Sequence, residues 1–177
     1  MDISKRINDI KKKIELKGLK LNPPILENEL INFENQYNVK FPEEYRYFLL
    51  YLGNGGDGPP HYKLLDLKSS IKFSLDFAND EDFLAKEFPL ENYLVWEGLK
   101  LSQQDNEKRN KICMGNLILG EDGCAIHWAL IVSGTQKGQI WQFTEVGVQP
   151  CAPKLTFLDW YEYWLDGGDD WWRDFHL

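Results

Sequence analysis

The chain has 177 residues, of which 43% are hydrophobic, so it is large enough for one domain with a single buried core. Its formal net charge of −8 opposes direct binding to nucleic acid or anionic lipid and favours a basic protein partner. No segment has the pattern of a signal peptide or a bilayer-spanning helix, so we expect a cytosolic protein. The cysteines Cys113, Cys124 and Cys151 have unrelated spacings, and we expect reduced side chains without a disulfide.

The first predicted element is a basic amphipathic helix over residues 1–20. Four isoleucines recur at helical spacing, namely Ile3, Ile7, Ile10 and Ile14. Lysines on the opposite arc are compatible with a membrane surface, but an isoleucine stripe without Trp or Phe favours docking on the protein's own domain. We therefore expect this helix to end near Gly18 and to pack against the core.

Two further helices are predicted before residue 54. The apolar stripe of the first consists of Leu26, Leu30, Phe33 and Tyr37. The second begins at Pro42, where a missing N–H costs nothing, and ends at the run Asn54-Gly55-Gly56-Asp57-Gly58. This run lacks the Lys and Ser or Thr of a phosphate-binding loop and follows the negative end of a helix, so we interpret it as a helix stop.

Strands are predicted next, at residues 62–67 and 71–75, where apolar and polar side chains alternate. The second strand would place Lys72, Ser74 and Asp76 on one polar face.

A short acidic helix is predicted over residues 79–87, with Phe83 and Leu84 turned inward. The polar stretch over residues 99–111 is predicted to be a loop.

Three more strands are predicted at residues 112–119, 124–132 and 140–143, the first two joined by a turn at residues 120–123. In the middle strand, Trp128 and Leu130 fall on one face, whereas His127 and Ala129 fall on the other. We expect both faces of the sheet to be covered.

A final helix is predicted from Thr156, with Asp159 in its first turn and Gly167-Gly168 at its end. Its apolar residues form two adjacent stripes that we assign to the core: Phe157, Trp160 and Trp164, and Leu158, Tyr161 and Leu165. The order helices, strands, helix predicts a single α+β domain over residues 1–177, with a mixed or antiparallel central sheet flanked by helices.

Several ordered motifs carry a family resemblance. They are FPEEYRYFLLYLGNGGDG followed by YKLLDL, then CMGNLILGEDGCAIHWALIVSGTQKGQIWQF, and finally TFLDWYEYWLDGG. In this order they resemble the SUKH superfamily, in its Smi/Knr branch, over roughly residues 23–168. The resemblance leaves a basic helix over residues 1–20 and an aromatic, acidic tail over residues 169–177. It implies a SUKH-like fold in which Gly55, Gly56, Gly123 and Trp141 hold the structure.

Catalytic and metal-binding patterns are not evident among the histidines and cysteines. His61 lies in a turn region, His176 lies at the terminus, and His127 lies in a patterned strand where a structural role is favoured. Cys124 and His127, three residues apart on an extended strand, would point to opposite faces. We therefore predict no catalytic residue, no cofactor and no metal site.

Three acidic patches are candidate binding surfaces. They comprise Asp76, Asp80, Glu81, Asp82, Glu87 and Glu91; Glu121 and Asp122; and Asp166, Asp169, Asp170 and Asp174. Bulky aromatics in the tail either fold back on the domain, which is favoured, or act as interface anchors. The predicted partner-binding residues are Asp57, Asp80, Glu81, Asp82, Glu121, Asp122, Asp169, Asp170, Trp171 and Trp172.

The resemblance implies a function through protein contact. Bacterial members of the family are cytosolic immunity proteins that neutralise toxins delivered by neighbouring cells, and the acidic balance favours a basic toxin domain such as a nuclease. The alternatives are a regulatory scaffold of the cell-wall and signalling type, and a small-molecule enzyme with an unrecognised carboxylate site. A raised carboxyl pKa in a deep pocket would favour the enzyme, whereas a broad acidic surface would favour the binder.

Overall fold

A computed structural model describes residues 2–60, 63–98, 100–151 and 153–167 of the chain. Within these ranges the helices are α1 (Ile3–Leu16), α2 (Glu27–Gln36), α3 (Glu43–Tyr51), α4 (Leu67–Ala78), α5 (Gln103–Arg109) and α6 (Phe157–Gly167). The strands are β1 (Leu94–Val95), β2 (Asn116–Gly123), β3 (Ile126–Ile131), β4 (Ile140–Phe143) and β5 (Gly147–Pro150). The strands form one sheet in the order β1-β5-β4-β3-β2, and every pairing is antiparallel. The predicted α+β architecture is confirmed.

Both faces of the sheet are buried, as the alternation in β3 predicted. On the first face, Trp128 and Leu130 pack into a large core together with the apolar faces of α1, α3 and α6. On the second face, Ala129 and Ile131 join a smaller core covered by the chain segment between residues 88 and 112. The sheet is therefore sandwiched between helices on one side and mostly irregular chain on the other.

Helix α1 packs against the domain as expected. Ile7, Ile10 and Ile14 are buried in the larger core, and the Asp2 carboxylate accepts a hydrogen bond from the Ser4 N–H at the start of the helix. The guanidinium of Arg6 binds three carboxylates, those of Glu44 at 3.1 Å, Asp159 at 2.6 Å and Glu162. These contacts tie α1 to both α3 and α6.

Helices α2, α3 and α6 lie where helical spacing predicted them. The predicted apolar stripe of α2 is wrong at one residue: Leu26 precedes the first helical residue and is 66% exposed. After α3, Gly55 has a φ of +80°, and a Cβ there would lie 2.6 Å from the Asp66 N atom. The glycine run is thus required both by the turn and by the close approach of the two backbone segments.

The predicted strand at residues 71–75 is wrong, because these residues lie inside α4. The Asp66 carboxylate accepts a hydrogen bond from the Ser69 N–H at 3.0 Å and starts the helix, and Asn79, with left-handed backbone angles, ends it. Ser74 is buried instead of sharing a polar face. Of the other predicted strand, residue 62 lies outside the described ranges, and Leu64 makes only an isolated bridge to Gly56.

Two further predictions in the middle of the chain are corrected. Residues 79–87 form successive turns, not a helix, although Phe83 and Leu84 are fully buried as expected. The predicted loop at residues 99–111 contains α5, whose first turn is capped by the Ser102 side chain accepting from the Asp105 N–H. Because α5 buries no side chain, its sequence carries no apolar periodicity.

The hairpin between β2 and β3 is shifted from its predicted position. β2 begins at Asn116 and runs through the predicted turn as far as Gly123, with irregular register along its length. The turn itself is Cys124-Ala125, both with positive φ, which suits a two-residue hairpin. Strands β1 and β5 were not predicted, because segments of two and four residues carry little alternation.

Candidate functional site

A row of three side chains crosses the second face of the sheet. Glu121 of β2 lies opposite His127 of β3, which lies opposite Phe143 of β4, and directly paired residues point to the same face. The Glu121 carboxylate is 3.8 Å from the His127 Nε2 atom. The row thus places a carboxylate, an imidazole and an aromatic ring side by side.

Two phenylalanines of α4 surround the imidazole of His127. The ring centroids of Phe73 and Phe77 lie 5.5 Å and 5.2 Å from that of His127. Burial lowers the pKa of His127, and the nearby Glu121 carboxylate opposes this effect only in part. His127 is therefore neutral near pH 7, and the charge of Glu121 is not balanced by it.

A pocket of about 290 Å³ opens beside this row, and its walls are mostly apolar. It is lined by Ser74, Phe77, Ile112, Cys113, Asn116, Ile118, Ala125, His127, Phe143, Thr144 and Glu145. The Ser74 hydroxyl accepts from the Ile118 N–H at 2.7 Å, which fixes α4 against β2. The Asn116 amide donates to the Ile112 and Met114 carbonyls and fixes the opposite wall.

Glu145 lies in the turn between β4 and β5 and forms one end of the pocket. Its carbonyl accepts a hydrogen bond of 2.6 Å from the Trp96 indole, over which the Arg109 guanidinium stacks at 4.9 Å. The Thr144 hydroxyl accepts from the Val146 and Gly147 N–H groups. The backbone that carries Glu145 is thereby anchored.

A second hollow, of about 490 Å³, lies between residues 89–94 and α5. Its lining contains both Asp105 and Lys108, so the charges of these two side chains offset each other. Its largest exposed ring is Tyr93. We regard the pocket beside His127 as the better candidate binding site. Its walls are mostly apolar, and the Glu145 carboxylate lines it without a Lys or Arg partner among the described residues.

Comparison with protein families gives a match that covers most of the chain. Residues 24–163 match the model of the SMI1 / KNR4 family (SUKH-1). The chain belongs to this family. A search of curated proteins finds no match. The resemblance inferred from the ordered motifs is confirmed, and this SUKH-1 domain shares a family with immunity proteins and with the Smi1/Knr4 cell-wall proteins.

Of the predicted binding residues, Asp80, Glu81 and Asp82 do not line the pocket of this SUKH-1 domain. They follow α4, three to five residues after Phe77, which lines the pocket and contacts the His127 ring. Asp80 is paired with Lys86, whose hydrogen bond lowers its pKa, while Glu81 and Asp82 are exposed. The first acidic patch therefore lies close along the chain to one wall of the pocket, and its Asp76 directly precedes Phe77.

Asp122 and Asp57 have structural contacts. The Asp122 carboxylate accepts a hydrogen bond of 2.7 Å from the indole of the buried Trp128. The Asp57 carboxylate accepts from the Lys20 N–H at 2.7 Å, and its carbonyl accepts from the Tyr161 hydroxyl at 2.9 Å. Both side chains stabilise the SUKH-1 fold in ways that their charge in the sequence did not indicate.

Four predicted binding residues, Asp169, Asp170, Trp171 and Trp172, lie outside the described residues. Conversely, Phe77, Cys113 and Glu145 line the pocket and were not among the predicted binding residues. Their proximity depends on the placement of α4 and on cross-strand register, which no local feature of the sequence predicts. Burial raises the pKa of the Cys113 thiol, so Cys113 is not an activated nucleophile.

Within the described ranges, no group of three or more His, Cys, Asp or Glu side chains is arranged to hold a metal ion. Hydrogen bonds lower the pKa of the Glu34, Asp80 and Asp159 carboxyls, and in Glu34 and Asp159 they outweigh the opposing effect of burial. A carboxylic acid catalyst would require the opposite shift. Nor does any helix in this part of the chain combine the length and apolar character needed to cross a bilayer.

Proposed function

We propose that this SUKH-1 protein is a cytosolic immunity protein that binds and neutralises a toxin domain with a basic surface, such as a nuclease. The observation that carries the proposal is a family domain whose exposed carboxylates are largely unpaired. Among the exposed carboxylates of the described residues that form no ion pair with Lys or Arg are Asp76, Glu81, Asp82, Glu87, Glu91, Glu97, Glu121 and Glu145. Such a surface attracts the cationic groove with which a nuclease holds phosphates.

Two alternatives are less well supported. The family also includes cell-wall proteins of the Smi1/Knr4 type, so a regulatory scaffold would use the same kind of contact surface. An enzyme with a carboxylate site would be favoured by a raised carboxyl pKa inside a pocket, but the shifted carboxyls in the described ranges are all lowered. Family members are generally non-enzymatic, which agrees with binding as the mode of action.

The test first identifies a secreted toxin among the products of the adjacent genes, and then uses the full chain together with the carboxy-terminal domain of that toxin. Co-expression is expected to restore growth to cells that make the active toxin domain, and the two proteins are expected to co-purify. Charge reversal at Glu81, Asp82, Glu87 and Glu121 together should weaken this complex more than reversal of exposed lysines such as Lys12 and Lys17. Absence of both protection and complex would refute the proposal.

A further inference from the structure

The pocket beside His127 has an apolar interior, and the aromatic side chain of Phe77 in its wall is partly exposed to solvent. Phe77 forms one wall and is 51% exposed, although it contacts the His127 ring. Phe143 and Ile118 form the floor and are buried in the smaller core. An exposed aromatic ring at the mouth of an apolar pocket is typical of a place where a partner's side chain is accommodated.

Two carboxylates lie beside this apolar interior. Glu145 lines the pocket, and Glu121 lies next to the lining residue His127, with its carboxylate 3.8 Å from the His127 Nε2 atom. Glu121 and Phe143 are separated by β3, which places them about 10 Å apart across the sheet, and Glu145 follows Phe143 by two residues. Within the described ranges, neither Glu121 nor Glu145 has a Lys or Arg partner. The pocket therefore combines an apolar floor with uncompensated negative charge on its rim.

The apolar floor and the negative charge together disfavour two kinds of occupant. A carboxylate or phosphate ligand would face two like charges, and a second copy of this chain would bring its own net charge of −8. A segment with a large apolar side chain next to Lys or Arg satisfies both features, because the apolar group fills the pocket while the cation pairs with the rim.

We infer that this pocket docks a protein segment of the toxin domain that presents an aromatic or large aliphatic side chain beside a lysine or arginine. The inference rests on the proposed function and names the surface that carries it. Phe77, Phe143 and Ile118 contact the apolar side chain, and Glu121 and Glu145 pair with the neighbouring cation. Asp80, Glu81 and Asp82 do not line the pocket and add to the long-range attraction of the cation.

Three variants of the full chain test the inference against the same toxin domain, in a catalytically inactive form. Glu121→Lys/Glu145→Lys reverses the rim, and Phe77→Ala removes the exposed wall. The matched control, Glu15→Lys/Glu43→Lys, has the same net charge but alters exposed carboxylates of α1 and α3, which pack on the other face of the sheet. Thermal unfolding of each variant establishes that it is folded.

The rim variant is expected to weaken binding by about tenfold or more and to reduce the salt dependence of the dissociation constant. Phe77→Ala is expected to weaken binding by about tenfold through faster dissociation, with the salt dependence unchanged. The control should change affinity by less than about threefold. If the wild type forms a complex but the rim variant matches the control, or Phe77→Ala binds as the wild type does, the pocket is not the docking site. If the wild type forms no complex at all, it is the proposed function that fails.

Discussion

Glu34 is a carboxylate held in the protein interior by three hydrogen bonds. It is only 5% exposed and accepts from the Arg46 side chain, from Lys40 Nζ at 3.0 Å and from the Phe41 N–H at 2.9 Å. Glu34→Gln leaves the largely buried Arg46 without its counter-ion, so we expect the free energy of unfolding to fall by about 3 kcal/mol. Urea denaturation measures this loss, and Glu87→Gln, at an exposed site, serves as the control with no appreciable change expected.

The same carboxylate gives a pH dependence with a defined sign. Burial alone would raise the pKa of Glu34, but the hydrogen bonds from Arg46, Lys40 and Phe41 lower it overall from its ordinary value of 4.5. Its stabilising contribution is therefore complete above pH 4.5 and is lost as the pH falls through the pKa of the folded state. The stability gap between wild type and Glu34→Gln should narrow in acid, and a gap independent of pH would contradict this account.

The pKa of His127 is shifted in opposite directions by its two kinds of neighbour, the phenylalanine rings and the Glu121 carboxylate. Burial between Phe73 and Phe77 lowers its pKa, and Glu121 opposes that effect. Phe77→Ala is expected to raise the pKa towards 6.5, whereas Glu121→Gln is expected to lower it further. Titration of the imidazole Cε1–H resonance by NMR checks both directions. Because the unfolded chain takes up the proton first, this residue should reduce stability as the pH falls below 6.5.

Helix α1 lies before the residues that match the family model, yet it belongs to the core. Ile10 is fully buried, and Arg6 joins the helix to α3 and α6. Ile10→Ala should therefore destabilise the protein by about 3 kcal/mol, as expected for truncation of a buried aliphatic side chain. Chemical denaturation measures the loss, with the exposed Lys11→Ala as control. Equal stability of the two variants would show that α1 is dispensable.

The elements differ in how far the sequence predicted them. Helices α2, α3 and α6 could be predicted because each has a continuous apolar face and a recognisable start. Helix α4 could not, because it lies between both cores: Ile71 faces the larger one and Phe73 the smaller one. Apolar side chains on several sides of a helix produce an alternation that resembles a strand. Asp66, which accepts from the Ser69 N–H at the start of α4, is a stronger indication of a helix than the alternation is of a strand.

The pocket could not be predicted from the sequence, for a different reason. His127 and Glu121 are separate features of the sequence, and their pairing depends on the irregular register of β2, which determines the residues that lie opposite each other. Phe77 reaches the same place only because α4 is a helix fixed by the Ser74 hydroxyl. The charge of the sequence is sufficient to predict the acidic patches, whereas the hydrogen bonds that the Asp122 and Asp57 carboxylates accept depend on the folded structure.

For the molecule as a whole, the surplus of negative charge governs the speed of encounter with a basic partner. Net charge attracts over a distance that salt shortens, so the association rate with the toxin domain should fall on the order of tenfold between about 50 mM and 500 mM NaCl. The dissociation rate should change much less, because it reflects short-range contacts. Stopped-flow measurements at several salt concentrations separate the two rates. An association rate that does not change with salt concentration would rule out electrostatic steering.

The contacts between α1 and α6 have a consequence for synthesis on the ribosome. Arg6 binds Asp159, and Lys13 binds Asp166 at 2.7 Å, so the two helices run parallel and join residues 153 positions apart. The isoleucines of α1 emerge early in translation, whereas α6, to which Arg6 and Lys13 bind, emerges much later. A nascent chain must therefore keep this apolar stripe from aggregating until α6 has emerged, and the contacts between the two helices form only then.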